Sequence, residues 1–297
     1  MTTHERCVGL VTSAPAVGLD RDHDALVDAL TRHGAKAIPV IWDDPAVNWE
    51  ALDAAVLRST WDYHTNYSEF LRWTDRAAAA TALHNPAPVV RWNTDKRYLA
   101  DLAAAGLPVV PTTHLRPGQA IDLDRDLAAA VGDVVVKPAV SVGSLDTARY
   151  SPTERADARK HVHRLLGDGR AVLVQPYQDA VDRDGETSLV YIDGALSHGF
   201  RKGPILLEPT DPSEGVLFRE EELSVRRPTA DQAAVGDAVI REIEARFGRL
   251  LYARIDLLPT PGGPLVLEVG LVEPSLNHDL GPGSADRFAA AIVARMP

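Results

Sequence analysis

The pattern of hydrophobic runs changes once along the chain, and that change limits the fold more than any single residue does. Up to about Pro88, short apolar strands alternate with amphipathic helices. Cys7 to Thr12, Lys36 to Ile41 and Ala54 to Arg58 read as strands; Asp22 to His33 carries Ala25, Leu26, Ala29 and Leu30 on one helical face and stops at Gly34; Ser68 caps a helix to about Leu83. Strict alternation of this kind builds an open α/β sheet. From Trp92 onward the order is different. Thr94 caps a helix through Ala105, Leu107 to Thr112 and Val134 to Lys137 read as strands, and Ser151-Pro-Thr-Glu154 is a capping box opening a helix to Gly167. Ala171 to Pro176 is a strand, and Ser188 to Ile192 and Ala195 to Phe200 form a hairpin on Asp193-Gly194, the dipeptide suited to a type I′ turn. Thr229-Ala-Asp-Gln232 is a second capping box, for a helix to about Phe247. Leu251 to Leu258 and Leu265 to Val272 then make a hairpin around Thr260-Pro-Gly-Gly, and a last helix starts at Ala285. Strand runs divided by long helices predict α+β units. The expected architecture is an α/β lobe over residues 1–90 followed by two α+β lobes, 91–170 and 171–297.

Composition narrows the partners. The chain has 297 residues and a net charge of −11, so a nucleic acid backbone or an anionic bilayer would be repelled on average. Cys7 is the one cysteine, which excludes an intrachain disulfide and a cysteine zinc cage. No window approaches 18 consecutive apolar residues, and Met1 to Leu10 lacks the form of a secretory leader, which predicts a cytoplasmic protein with no membrane partner. P-loop, dinucleotide-fold, zincin and hydrolase motifs are absent. Of 31 cationic residues only Lys36, Lys96, Lys137, Lys160 and Lys202 are lysines, so each one in an apolar or Gly-rich setting carries weight.

Val134-Val-Val-Lys137-Pro runs a β-branched strand straight into a lysine. The loop after it, with Ser141, Gly143 and Ser144, has the composition whose backbone N–H groups wrap phosphate oxygens. The plainer alternative is a lysine that ends an edge strand and reaches water. Lys96 falls in the first turn of an expected helix, where the dipole disfavours a cation unless an anion is bound nearby. In the last hairpin Asp256 and Glu268 fall nearly opposite each other, with Arg254 on the same face as Asp256. Like charges across a ladder are destabilising, and oxygen ligands of this kind suit Mg²⁺; Glu273 could add a further oxygen. The competing reading is a solvent-facing acidic edge. Arg201 and Lys202 end their strand as adjacent cations suited to a phosphoryl group or a carboxylate. In the first lobe Arg58, Ser59, Thr60, Trp61 and Tyr63 leave a strand where open α/β sheets bind ligands; a packed loop is the alternative.

This order of features resembles the ATP-grasp superfamily from about Trp92 to the C-terminus, with the preceding lobe like its usual N-terminal substrate domain. The wording of Trp61-Asp-Tyr-His64, Asn93-Thr-Asp-Lys-Arg-Tyr-Leu99, Leu173-Val-Gln-Pro-Tyr177 and Val272-Glu-Pro-Ser-Leu276 is similar to the O-ureido-D-serine cyclo-ligase family. The resemblance implies ATP between two lobes, with Lys96 and Lys137 on its phosphates, Ser141 to Ser144 as the loop above them, and Gln175, Pro176 and Tyr177 as the hinge beside adenine. It implies Glu186 as a ribose-side or metal-side acid, Arg201 on the transferred phosphate, and Asp256 and Glu268 as Mg²⁺ ligands. It departs at Gly270, where Asn or an acid is usual, which leaves Glu273 or Asn277 to supply the missing oxygen. The implied activity is phosphorylation of a carboxylate to an acyl phosphate and then ring closure to D-cycloserine. An intermolecular amino acid ligase and a nucleotide-binding protein without turnover are the rivals. Related ligases are often dimers or tetramers, so the resemblance implies a homo-oligomer acting on a small amino acid-like molecule.

Overall fold

The computed structural model describes residues 5–120, 122, 127, 132–206 and 221–296. Strands β1 (Arg6–Thr12), β2 (Ala35–Ile41), β3 (Ala54–Ser59) and β4 (Ala82–His84) form a parallel sheet in the order β2-β1-β3-β4. Helices α1 (His23–Arg32) and α2 (Tyr67–Ala80) cover it. Leu26 and Leu30 of α1 pack on Val8, Leu10 and Val56, while Trp42, Tyr63, Phe70 and Trp73 fill the other face. The second helix stops at Ala80, short of the expected Leu83, because Ala82, Leu83 and His84 pair with Ala54, Ala55 and Val56 as an added strand.

Two short helices come next, α3 (Ala87–Asn93) and α4 (Tyr98–Ala104). Thr94 closes α3 rather than opening the next helix: its hydroxyl donates to the Val90 carbonyl at 2.8 Å, the back-bond open to threonine in a last turn. Lys96 therefore stands in a turn between helices, not in a first helical turn. Leu107 to Thr112 is extended but joins a ladder only where Val109 and Val110 meet Val266. The strand proper is β5 (Thr113–Leu115).

β5, β8 (Val172–Pro176), β6 (Val134–Pro138) and β7 (Ala148–Tyr150) make an antiparallel sheet in that order. Its Val134, Val136, Val172 and Val174 pack on Ala158, Val162 and Leu165 of α5 (Arg155–Gly167), which opens on the Ser151 capping box. The short α6 (Ala180–Asp184) leads to the third sheet, order β11-β10-β9-β12-β13, from Glu186–Ile192 (β9), Ala195–Lys202 (β10), Leu223–Val225 (β11), Tyr252–Leu258 (β12) and Leu265–Gly270 (β13). Asp193 and Gly194 have φ of 49° and 71°, the paired positive values a type I′ turn requires. One face of this sheet packs Leu189, Tyr191, Ile255 and Leu257 on α7 (Ala230–Phe247). The other buries Val190, Phe200 and Tyr252 against α8 (Ser284–Val293) and the first lobe, then turns polar toward Glu186, Lys202 and Asp256. No helix among the described residues is long and apolar enough to cross a membrane.

Candidate active site

The polar end of that face and the cleft face of the central sheet enclose a cavity of about 280 Å³. Period-two alternation along β6 explains one wall. Val134 and Val136 point into the core under α5, which sends Val135 and Lys137 into the cleft. Lys137 is 6% exposed; burial, reinforced by Lys96 and opposed by Glu268, pulls its ammonium down to about 8. The loop after β6 brings Ser141, Gly143 and Ser144 to the cavity. Lys96 Nζ donates to the Ser141 carbonyl at 2.8 Å and lies 3.5 Å from Glu268 Oε1, so it ties this loop to the opposite wall. Ser144 and Asp146 take left-handed φ of 62° and 55°, and Asp146 is gripped by Arg164 at 2.8 Å and by Arg170.

At one end the cavity is floored by Val110, Val181, Leu258 and Leu267 beside Gln175, Pro176 and Tyr177. Gln175 Nε2 donates to Thr112 Oγ1 at 2.9 Å, and the Arg149 guanidinium lies 3.6 Å over the Tyr177 ring while the Tyr177 hydroxyl donates to Asp182. Tyr177 is thereby held from its outer side with an apolar slot within.

The other wall is an ion network. Asp256 and Glu268 are direct register partners across β12 and β13, as their spacing predicts. Arg254 grips Asp256 with two bonds at 3.0 and 2.9 Å, Ser188 Oγ donates to it at 2.7 Å, and Lys202 Nζ lies 3.1 Å from it and 3.0 Å from Glu186. Burial raises the Asp256 carboxyl, but Arg254 and Lys202 more than reverse this and hold it far below the usual range. Glu186 is pushed up by burial against the pull of Lys202. Burial likewise opposes Glu268, whose net shift is downward because Lys96 and Lys137 face it. Glu273 goes the other way, to about 7, through burial with Glu268 adding to it.

Several expected residues stand elsewhere. Arg201 is out of the cleft: neighbours on a strand face opposite sides, so with Lys202 pointing in, Arg201 points out, where its Nε donates to the Asp184 carbonyl at 3.1 Å. The signal was Phe200, whose apolar side chain marks the inner face and fixes Lys202, two residues on, to the cleft side only if the core is counted. Of the first-lobe set only Trp61 lines the cavity. Arg58 is buried on Asp22 at 2.8 Å, the Ser59 hydroxyl bonds Thr12 Oγ1 at 2.7 Å, Thr60 is buried, and Tyr63 stacks on Phe70 at 4.9 Å. All four serve the packing of the β3 end. Sequence reading missed Leu19, Arg21, Thr147, Glu221, Pro274 and Ser275 on the cavity wall. They lie in loops without periodic patterning, so no spacing signal marks them.

The wall carries only hard oxygen donors. Among the described residues no three His, Cys, Asp or Glu side chains stand close enough to hold a metal ion by themselves, and both Asp256 oxygens are taken by Arg254, Ser188 and Lys202. Such a donor set fits a small divalent cation bound largely through the oxygens of an anionic ligand, with Glu268 and Glu273 on the protein side.

Residues 8–85 match the family model of the N-terminal domain of D-cycloserine synthetase DcsG. The chain is 40% identical to the cycloserine biosynthesis protein DcsG of Streptomyces lavendulae, over 97% of this chain and 98% of that one. It superimposes on the crystal structure of D-cycloserine synthetase DcsG with a TM-score of 0.90 at 38% identity, covering 98% and 100% of the two chains. A RimK domain ATP-grasp protein from Sphaerobacter thermophilus matches at a TM-score of 0.67 and 20% identity, over 98% and 99%, a likeness of fold alone.

Proposed function

The chain belongs to the D-cycloserine synthetase family of ATP-grasp ligases, and from that premise we propose that it closes O-ureido-D-serine to D-cycloserine with release of ADP, phosphate, carbon dioxide and ammonia. The observation that carries the reading is the meeting, in one cavity, of the lysine-ended strand β6 with the acidic hairpin β12–β13. In this reading residues 1–90 form the substrate lobe and 91–170 and 171–297 the two nucleotide-gripping lobes.

Lys96, Lys137 and the Ser141, Gly143 and Ser144 loop would hold the phosphates of ATP, with Gln175, Pro176 and Tyr177 beside its base and Glu186 on the ribose or metal side. Glu268 and Glu273 would face Mg²⁺, while Asp256, whose oxygens are taken by Arg254, Ser188 and Lys202, would hold those groups beside it. When bound, ATP with its Mg²⁺ supplies the phosphoryl group that turns an unreactive carboxylate into an acyl phosphate. The chain's own part is positioning and charge. Lys202 and Arg254, fixed by Asp256, offer cationic N–H groups where negative charge builds on transfer, and their pairing keeps them charged in a buried setting. Trp61, Arg21 and Ser275 also line the cavity, and in this reading they would meet the amino acid-like substrate. The oxygen-bound nitrogen of the ureido group would then attack the acyl carbon, losing its proton as phosphate leaves, and water would cleave the carbamoyl group from that nitrogen to give carbon dioxide and ammonia. A homo-oligomer in the cytoplasm remains part of the reading on family resemblance.

ADP release measured with O-ureido-D-serine alone, against the same mixture with a free amino acid added, tests this. Turnover with the single substrate is expected; turnover that depends on the added amine would replace cyclisation with intermolecular ligation.

A further inference from the structure

Besides Leu19, Arg21 and Trp61, which line the cavity, the first lobe acts on its wall through a side chain that does not line it. Asp22, at the start of α1, is 2% exposed. Its Oδ2 accepts from the Leu276 N–H at 2.7 Å and the Asn277 N–H at 3.1 Å, and its Oδ1 from the His278 N–H at 2.8 Å. Arg58 donates to the same carboxylate at 2.8 Å. Four donors thus converge on one buried side chain.

The backbone it holds lies just beyond Glu273 and is gripped from the carbonyl side as well. Trp61 Nε1 donates to the Glu273 carbonyl at 3.1 Å, Arg254 to that of Ser275 at 3.2 Å, and His198 Nε2 to that of Leu276 at 2.9 Å. Asn277 sits at φ 50°, ψ 61°, a left-handed conformation that most residues avoid. Turning three successive N–H groups toward one acceptor requires such a bend, since an extended strand would point them alternately to opposite sides. The bend leaves Asn277 on the cavity wall with Ser275 and Arg254, and among the described residues its side-chain amide has no hydrogen-bond partner. An anchored backbone in a strained conformation, with an unused amide facing a substrate cavity, is an arrangement that needs a purpose beyond packing.

We propose that Asp22 is a positioning residue of the reaction: held by Arg58, its carboxylate fixes the 276–278 backbone so that Asn277 presents its amide to the amino acid-like substrate. The first lobe then contributes to substrate affinity through this carboxylate without touching the substrate there. The proposal rests on the ligase reading of the cavity.

Asp22→Asn keeps the shape but replaces two acceptor oxygens by one. Hydrogen exchange of the peptide covering residues 274–281 should rise in this variant while that of β12 and β13 stays as in the wild type. KM for the carboxylate substrate should rise about tenfold, as one charge-assisted bond lost implies, with KM for ATP within about twofold. Unchanged exchange at 274–281, or equal rises in both KM values, would overturn the proposal. Should Asp22→Asn fail to fold, Asn277→Gly decides: glycine keeps the left-handed bend and the three N–H bonds but removes the amide, and the same split in KM is expected, whereas an unchanged KM for the carboxylate substrate overturns it. The exchange measurement needs no substrate, so it judges the anchoring role whichever acid the wild type turns over.

Discussion

Two adjacent cations, Arg201 and Lys202, show how much one residue's phase on a strand decides. Lys202 lies between Glu186 and Asp256 with its side chain almost wholly buried, and the two acids raise its pKa well above the ordinary lysine value despite the opposing cost of burial. Arg201 bonds a carbonyl on the far side and lies 3.7 Å from the exposed Glu222. Removing one partner of a buried ion pair strands the other, at about 3–5 kcal/mol, whereas a single neutral acceptor lost costs about 0.5–1.5 kcal/mol. Lys202→Met should therefore shift the urea midpoint of unfolding far more than Arg201→Met. It should also cut ADP formation by about 10²–10³, the loss typical of a removed charge-stabilising donor, with Arg201→Met within a few-fold of wild type. The reverse ranking would mean that the strand faces are assigned wrongly. Lys137 was legible because three β-branched residues mark its strand and leave one direction for the lysine. Asp22 was not legible, because a carboxylate that works through backbone N–H groups of a loop over 250 residues later leaves no spacing to find.

At the scale of elements, the turn sequence Thr260-Pro-Gly-Gly set the register that brings Asp256 opposite Glu268, and a bulge after Asp256 keeps both at the cavity. The last strand ends at Gly270 rather than the expected Val272, and the course of the segment beyond it, Leu271 to Asn277, was not legible, since its apolar residues keep neither the helical nor the strand period. Gly270 acquires a physical reason there. A Cβ at this position would meet Pro274 Cβ at 2.9 Å, so the hairpin can pass under the Pro274 loop only with glycine. The missing oxygen at Gly270 is thus tied to the course of the segment that carries Ser275 and Asn277. Gly270→Asn, which restores the residue type usual in the superfamily, should not gain function. It should destabilise the protein by about 1–3 kcal/mol through overpacking, read in urea unfolding, and raise KM for the carboxylate substrate as Pro274 is displaced. Improved turnover in this variant would show that the Pro274 loop yields freely.

Across the whole molecule, the first and third sheets share a core through Val8, Leu10, Val190, Phe200 and Phe288, whereas the central sheet packs one face on α5 and joins the third sheet's other core through Leu173. The alternation that predicted separate lobes could not reveal this, because residues such as Phe200 and Phe288 meet the first lobe only through tertiary packing. Each sheet unit also carries a histidine held neutral by burial: His84 on β4, His161 on α5 and His278 beside α8, all drawn down to about 4 from 6.5. A histidine whose folded pKa is depressed binds its proton more weakly in the native state than in the unfolded chain. Stability is therefore unaffected by these groups above pH 6.5, is lost progressively between 6.5 and about 4, and levels off below, with each histidine adding up to about 1.4 kcal/mol per pH unit inside that window. Because all three units are affected, acid should lower the melting temperature of the protein as a whole rather than release one lobe. A thermal unfolding series from pH 7.5 to 4.5 should fall below 6.5, because three histidines outweigh the single opposite contribution of Glu273, whose carboxyl, raised to about 7, favours the folded state as pH drops from there toward 4.5. The slope should shrink in His161→Gln, which removes one titrating group, and a flat profile through this range would show that the three imidazoles are solvated and titrate normally.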